Sequence, residues 1–134
     1  MARILSISYD TTLLRTRELL LTGKGHDVVS ALGFHRGAEA CQAGGFDLFV
    51  LGHSIPQEDK LDLIRCFREK NPGVPVIALT HPHESPLKEV DRYLDPGDPA
   101  ELLRSLAFLI DPAAERRRAV GQSTPIALVR KKSP

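Results

Sequence analysis

The segment FDLFVLGHSIP, residues 46–56, decides the fold of this chain of 134 residues. Its first part, from Phe46 to Leu51, is an almost unbroken apolar run, which is typical of a strand that is buried on both faces of a sheet. Gly52 follows directly, and after Pro56 the apolar residues recur with helical spacing. The segment therefore predicts a central β-strand, a short loop and a helix.

Strands and helices alternate on both sides of this segment. Five apolar stretches are predicted strands: 3–8, 26–31, 46–51, 74–80 and 91–94. Five segments are predicted helices: one after Asp10, residues 34–43, one from Pro56 to about Lys70, a short one near Leu87, and one after Asp98. Such alternation favours parallel strands that are joined by right-handed crossovers. We therefore predict an α/β fold with a doubly wound five-stranded parallel sheet sandwiched by five helices.

Local signals mark the starts of two predicted helices. Asp10 offers an N-cap oxygen to the helix that follows the first strand. Asp98, Pro99 and Glu101 form a capping pattern with proline at the first helical position of the last helix. Both helices should therefore begin shortly after a strand ends.

Charge is distributed unevenly along the chain. Residues 111–134 contain six Lys or Arg and two acidic residues, a net charge of +4, so the formal charge of +1 for the whole chain leaves −3 for residues 1–110. We predict one domain over residues 1–110, followed by a basic, flexible tail over residues 111–134.

Composition excludes several classes of protein. No apolar run approaches the roughly 18 residues that cross a bilayer, and the N-terminus lacks the features of a signal peptide. Cys41 and Cys66 lie singly in predicted helices, without the paired spacing of a structural zinc site or a disulfide framework. We expect a cytoplasmic protein without a membrane partner, in which both cysteines are small buried apolar residues.

The order of strands and the residues at their ends carry a family resemblance. Pro56 lies four residues after Gly52, a hydroxyl residue, Thr80, ends the fourth predicted strand, and an aromatic residue, Tyr93, lies in the fifth. In this pattern residues 3–110 resemble the receiver domain of two-component response regulators. The resemblance implies a flavodoxin-like fold with strand order 2-1-3-4-5, and it implies that Thr80 and Tyr93 occupy the positions of the family's switch residues.

The phosphorylation site of that family has only degenerate counterparts here. The acids that hold Mg²⁺ correspond to Ser8, Tyr9 and Asp10, of which only the last is acidic. Gly52 replaces the phosphoacceptor aspartate, and Asp95 replaces the lysine that stabilises the phosphoryl group. Glycine offers no nucleophile, and a carboxylate repels a phosphoryl group.

The resemblance therefore implies a pseudo-receiver of the phosphorelay type, which is not an enzyme and needs no cofactor. Such a module would act by binding a protein partner, a signalling protein, or by forming a homodimer.

Two other functions remain open. His53, His81 and His83 follow the third and fourth predicted strands, so their imidazoles could approach one crevice and bind a metal ion or a small ligand. The basic tail could associate with nucleic acid through its clustered Arg and Lys residues, in a nonspecific and salt-dependent way.

Overall fold

A computed structural model describes residues 2–80 and 86–110. The strands are β1 (Arg3–Ser8), β2 (Asp27–Leu32), β3 (Leu48–Leu51), β4 (Val76–Leu79) and β5 (Arg92–Leu94). The helices are α1 (Thr11–Thr22), α2 (Gly33–Cys41), α3 (Gln57–Lys70) and α4 (Pro99–Ile110). The predicted tail, residues 111–134, lies outside the described residues, so the predicted domain boundary stays a prediction.

The five strands form one parallel sheet in the order β2-β1-β3-β4-β5. The α/β class, the parallel sheet and the strand order 2-1-3-4-5 are therefore confirmed. All four residues of β3 are buried, and this strand pairs with β1 on one side and β4 on the other. The segment that begins at Phe46 thus provides the central strand of the sheet, where both faces are covered.

Helices cover the two faces of the sheet and define two cores. The first core lies beneath α2 and α3 and contains Phe49 and Leu51 of β3. The second core lies beneath α1 and α4 and contains Leu48 and Val50. Successive residues of β3 alternate between the cores because successive side chains of a strand point to opposite faces.

Both predicted helix caps are present. The Asp10 carboxylate accepts a hydrogen bond from the Leu13 amide at 3.0 Å, at the start of α1. At the start of α4, the Asp98 carboxylate accepts one from the Glu101 amide at 3.1 Å. These bonds satisfy amides that the helix itself leaves without an acceptor.

The helix predicted near Leu87 is wrong for the residues that the structure describes. Residues 86–90 form a turn, in which the Val90 amide donates to the Leu87 carbonyl at 3.1 Å. The Leu87 amide instead donates to the Tyr93 hydroxyl, six residues further along the chain, and this bond is not one that a helix makes. The described ranges therefore contain four helices, not the predicted five.

Both cysteines are free, as expected, but they differ in exposure. Cys41 is fully buried in the first core, whereas Cys66 is partly buried. Burial, with smaller contributions from the neighbouring Cys66, raises the pKa of the Cys41 thiol to about 12. In the described part of the chain, each helix is too short or too polar to cross a bilayer.

Phe67 should be one of the residues on which stability depends most. Its ring is fully buried and stacks on Phe49 with a centroid distance of 4.4 Å. Replacing Phe67 by Ala should lower the free energy of unfolding by about 3–5 kcal/mol, because a large cavity remains in the first core. Equilibrium unfolding in urea measures this change.

Phe34 provides the matched control, since it is 40% exposed on α2. Replacing Phe34 by Ala should change the free energy of unfolding by less than about 1 kcal/mol. Equal losses in the two variants would contradict the assignment of Phe67 to the core.

Candidate functional site

The predicted site residues converge at the carboxyl end of the sheet. Ser8 ends β1, Gly52 follows β3 and Thr80 follows β4, three neighbouring strands. The Gly52 amide donates to the Ile7 carbonyl at 2.9 Å, and the Thr80 amide donates to the Leu94 carbonyl at 3.0 Å. In parallel α/β folds this edge is where ligands bind.

Gly52 lies very close to β1. A Cβ atom at this position would lie 3.2 Å from the Ser8 hydroxyl oxygen, 3.3 Å from the Ser8 Cβ and 3.3 Å from the Ile7 carbonyl oxygen. These separations are shorter than ordinary van der Waals contacts. A larger residue at position 52 therefore requires the end of β1 to shift. Ser8 occupies part of the space that the side chain of a phosphoacceptor would need at this position.

The Ser8 hydroxyl is the centre of a small hydrogen-bond network. It is fully buried, accepts a bond from the Asp10 amide at 3.0 Å, and lies 3.4 Å from the Ser54 hydroxyl oxygen. Ser54 in turn accepts a bond from the Tyr9 amide at 3.1 Å. These bonds connect the loop after β3 to the loop after β1 and use neutral groups only.

The remaining groups at the end of β1 are also engaged. The Asp10 carboxylate caps α1, and the Tyr9 hydroxyl donates to the Asp59 carboxylate at 2.8 Å. Mg²⁺ requires several hard oxygen ligands in near-octahedral geometry. In residues 2–80 and 86–110, no group of three or more His, Cys, Asp or Glu side chains is placed to hold a metal ion. The described residues therefore do not fit the Mg²⁺ site of a receiver domain.

Asp95 and Tyr93 interact within their own part of the chain. The exposed Asp95 carboxylate accepts a bond from the Gly97 amide at 2.8 Å and so stabilises the turn that leads to α4. The partly buried Tyr93 ring packs against the first core, and its hydroxyl accepts a hydrogen bond from the Leu87 amide. The ring is thus held towards the turn at residues 86–90.

The three predicted metal ligands are not all described. His53 is partly buried in the loop after β3, whereas His81 and His83 lie outside the described residues. A site formed by these histidines therefore stays a prediction.

Sequence reasoning did not assign a role to the pair Ser8 and Ser54 or to the pair Tyr9 and Asp59. The two serines are 46 residues apart in the sequence, and Tyr9 and Asp59 are 50 residues apart. At such separations no local sequence pattern indicates a contact. The available signal was that Tyr9 directly follows β1 and Asp59 lies in the first turn of the helix after β3, because β1 and β3 are neighbours in the sheet and residues beyond their ends meet at one edge.

No protein-family model and no curated protein matches the sequence. Solved structures do match it. A CheY-like response regulator receiver domain protein from Methanospirillum hungatei has a TM-score of 0.71 and 22% identity, over 87% of this chain and 98% of that chain.

Two further matches involve the response regulator TrrA of Thermotoga maritima. TrrA in complex with Mg²⁺ and beryllofluoride has a TM-score of 0.70 and 23% identity, over 81% of this chain and 99% of that chain. A chain of the complex between histidine kinase ThkA and TrrA has a TM-score of 0.70 and 21% identity, over 82% of this chain and 99% of that chain. At these identities the likeness concerns the fold, and this protein has the fold of CheY-like receiver domains.

The contact between Tyr9 and Asp59 makes a testable prediction. Burial, the hydrogen bond to Asp59 and the negative charge of Asp59 raise the pKa of Tyr9 above its usual value of 10.0. A raised pKa favours the neutral phenol in the folded protein, so its contribution to stability is present below a pH of about 10 and is lost above it.

Replacing Asp59 by Asn should therefore lower the pKa of Tyr9, though not to its usual value, because burial remains. The ultraviolet absorbance of tyrosinate measures the titration, and a Tyr9→Phe variant identifies the signal. Asp62→Asn, a change at an exposed acid on the same helix, is the matched control and should leave the titration in place. An unchanged Tyr9 titration in Asp59→Asn would contradict the contact.

Proposed function

We propose that this protein is a receiver-like signalling module of the two-component type that is not phosphorylated on aspartate and acts by protein–protein interaction in the cytoplasm. The observation that supports the proposal is the close approach of Gly52 to Ser8: glycine offers no nucleophile, and Ser8 occupies part of the space that a nucleophilic side chain would need.

Three independent requirements of aspartyl phosphorylation are unmet among the described residues. The reaction needs a carboxylate that attacks phosphorus, a cation that neutralises the phosphoryl oxygens, and a positive side chain that stabilises them. Position 52 is glycine, the Asp10 carboxylate is used as a helix cap, and position 95 carries a negative charge. We infer that the module is not an enzyme.

A protein partner would then deliver the signal to this module or carry out the response to it. The structure of ThkA with TrrA shows a response regulator in complex with a histidine kinase. We propose a partner of the same kind, a histidine kinase or another signalling protein, with a homodimer as the alternative.

Because the Tyr93 hydroxyl bonds to the Leu87 backbone, the orientation of this aromatic ring depends on the segment before β5 and needs no phosphoryl group.

The absence of phosphorylation can be tested by an amide NMR titration with Mg²⁺ and then with beryllofluoride, which mimics a phosphoryl group on aspartate. Signals near Ser8, Gly52, Thr80 and Tyr93 should not move. The single variant Gly52→Asp should also show no shifts, because it still has Asp95 and still lacks acidic residues at positions 8 and 9. The triple variant Ser8→Asp, Gly52→Asp and Asp95→Lys is the matched positive control and should show shifts that require both additives.

Saturable shifts that require beryllofluoride in the unaltered protein would refute the proposal. The interaction itself can be tested with the chain of 134 residues as bait in cell extract. It should retain a signalling protein to the same extent with and without acetyl phosphate. Retention that requires acetyl phosphate would be incompatible with a phosphate-independent module.

A further inference from the structure

A groove lies between α1 and α4, over the second core. Its volume is about 220 Å³, and its apolar lining includes Leu20 of α1, Leu79 of β4 and Leu102 of α4. At roughly 30 Å³ for each water of the liquid, this volume corresponds to about seven waters. The groove is therefore large enough for a small organic molecule, and its leucines can contact an apolar part of that molecule.

Arg17 lines the same groove and is only 6% exposed. Its guanidinium donates one hydrogen bond, to the Ser6 hydroxyl at 3.3 Å. A guanidinium has five N–H donors, and within residues 2–80 and 86–110 Arg17 has no carboxylate partner. Burial lowers the pKa of Arg17 to about 10, which reflects the cost of a charge removed from water. An anionic group in the groove would compensate this charge.

Two carboxylates, those of Asp95 and Asp98, also line the groove. One oxygen of each accepts a bond from a nearby backbone amide, that of Gly97 at 2.8 Å and that of Glu101 at 3.1 Å. The second oxygen of each has no hydrogen-bond partner within the described part of the chain. The groove thus contains negative groups that can accept hydrogen bonds from a cation.

These features together select a class of ligand. A simple anion would be attracted by Arg17 but repelled by two carboxylates, and a simple cation would leave the buried guanidinium without a counter-charge. A molecule with both charges and an apolar part meets every requirement of the lining. We propose that the groove between α1 and α4 binds a free α-amino acid with an apolar side chain. Arg17 binds its carboxylate, Asp95 and Asp98 bind its ammonium group, and the leucines contact its side chain.

This site is separate from the strand-end network of Ser8 and Ser54. It requires neither a protein partner nor a phosphoryl group. Binding there would give the module a chemical input, since the groove lies against α1 and α4 at the same time.

The test is an amide NMR titration of the chain of 134 residues with L-leucine. The amides of Leu13, Leu79 and Leu102 should shift and saturate together. Isocaproate, which lacks the ammonium group, and isoamylamine, which lacks the carboxylate, should each bind at least about tenfold more weakly, because each loses one charged contact. No saturable shift with L-leucine, or equal affinity for either analogue, would overturn the proposal.

Variants test the two charged contacts separately. Arg17→Met should weaken L-leucine binding at least about tenfold and leave isoamylamine binding no weaker than before. Arg15→Met, a change at an exposed arginine of the same helix, is the matched control and should bind L-leucine as the unaltered protein does. Undiminished L-leucine binding by Arg17→Met would exclude the assigned role of Arg17.

The double variant Asp95→Asn and Asp98→Asn provides an independent test if Arg17→Met folds poorly. Asparagine keeps the oxygen that accepts the backbone bond but loses the charge. This variant should lose its preference for L-leucine over isocaproate. A retained preference would exclude the role assigned to the two carboxylates.

Discussion

The burial of β3 on both faces is the constraint on which the rest of the structure depends. Leu48 and Val50 contact one core while Phe49 and Leu51 contact the other, so helices must cover each side of the sheet. The strand can satisfy its backbone groups in such a setting only by pairing on both edges, which it does with β1 and β4. This arrangement brings Gly52, at the end of β3, against the end of β1.

The hydrogen bonds that join the two loops at that edge are made by neutral groups. Several carboxylates held close together repel one another unless a cation or a proton compensates them. Here the Ser8 and Ser54 hydroxyls connect the two loops by hydrogen bonds without net charge. These hydrogen bonds hold the two loops together without the repulsion that adjacent carboxylates would cause.

Each face of the sheet has its own contacts that connect one element of the fold to another. On the first face, the Tyr93 hydroxyl connects β5 to the turn at residues 86–90. On the second face, Arg17 places a charge inside the layer between α1 and the sheet, next to a groove that reaches α4. A ligand in that groove would contact α1 and α4 and would leave the strand-end network of Ser8 and Ser54 in place, so the two proposals can operate in one molecule.

Much of the fold could be predicted because its signals are local. The helix caps at Asp10 and Asp98 depend on residues three positions away, and the buried strands follow from apolar runs. The strand order came from the family resemblance, and the place of Gly52 directly after β3 followed once the strands were placed. The helix predicted near Leu87 was wrong for the described residues, where the Leu87 amide donates to the Tyr93 side chain and not to a helix carbonyl.

The chain by itself thus determined the five strands, most of the helices and the chemical groups that stand at the strand ends. Only the tertiary structure decided how those groups are paired. The bond from Tyr9 to Asp59 joins residues 50 positions apart, and the burial of Arg17 against Ser6 depends on how α1 lies on the sheet. Such contacts arise from the packing of whole elements, whereas local sequence patterns reach only across neighbouring turns or strand residues.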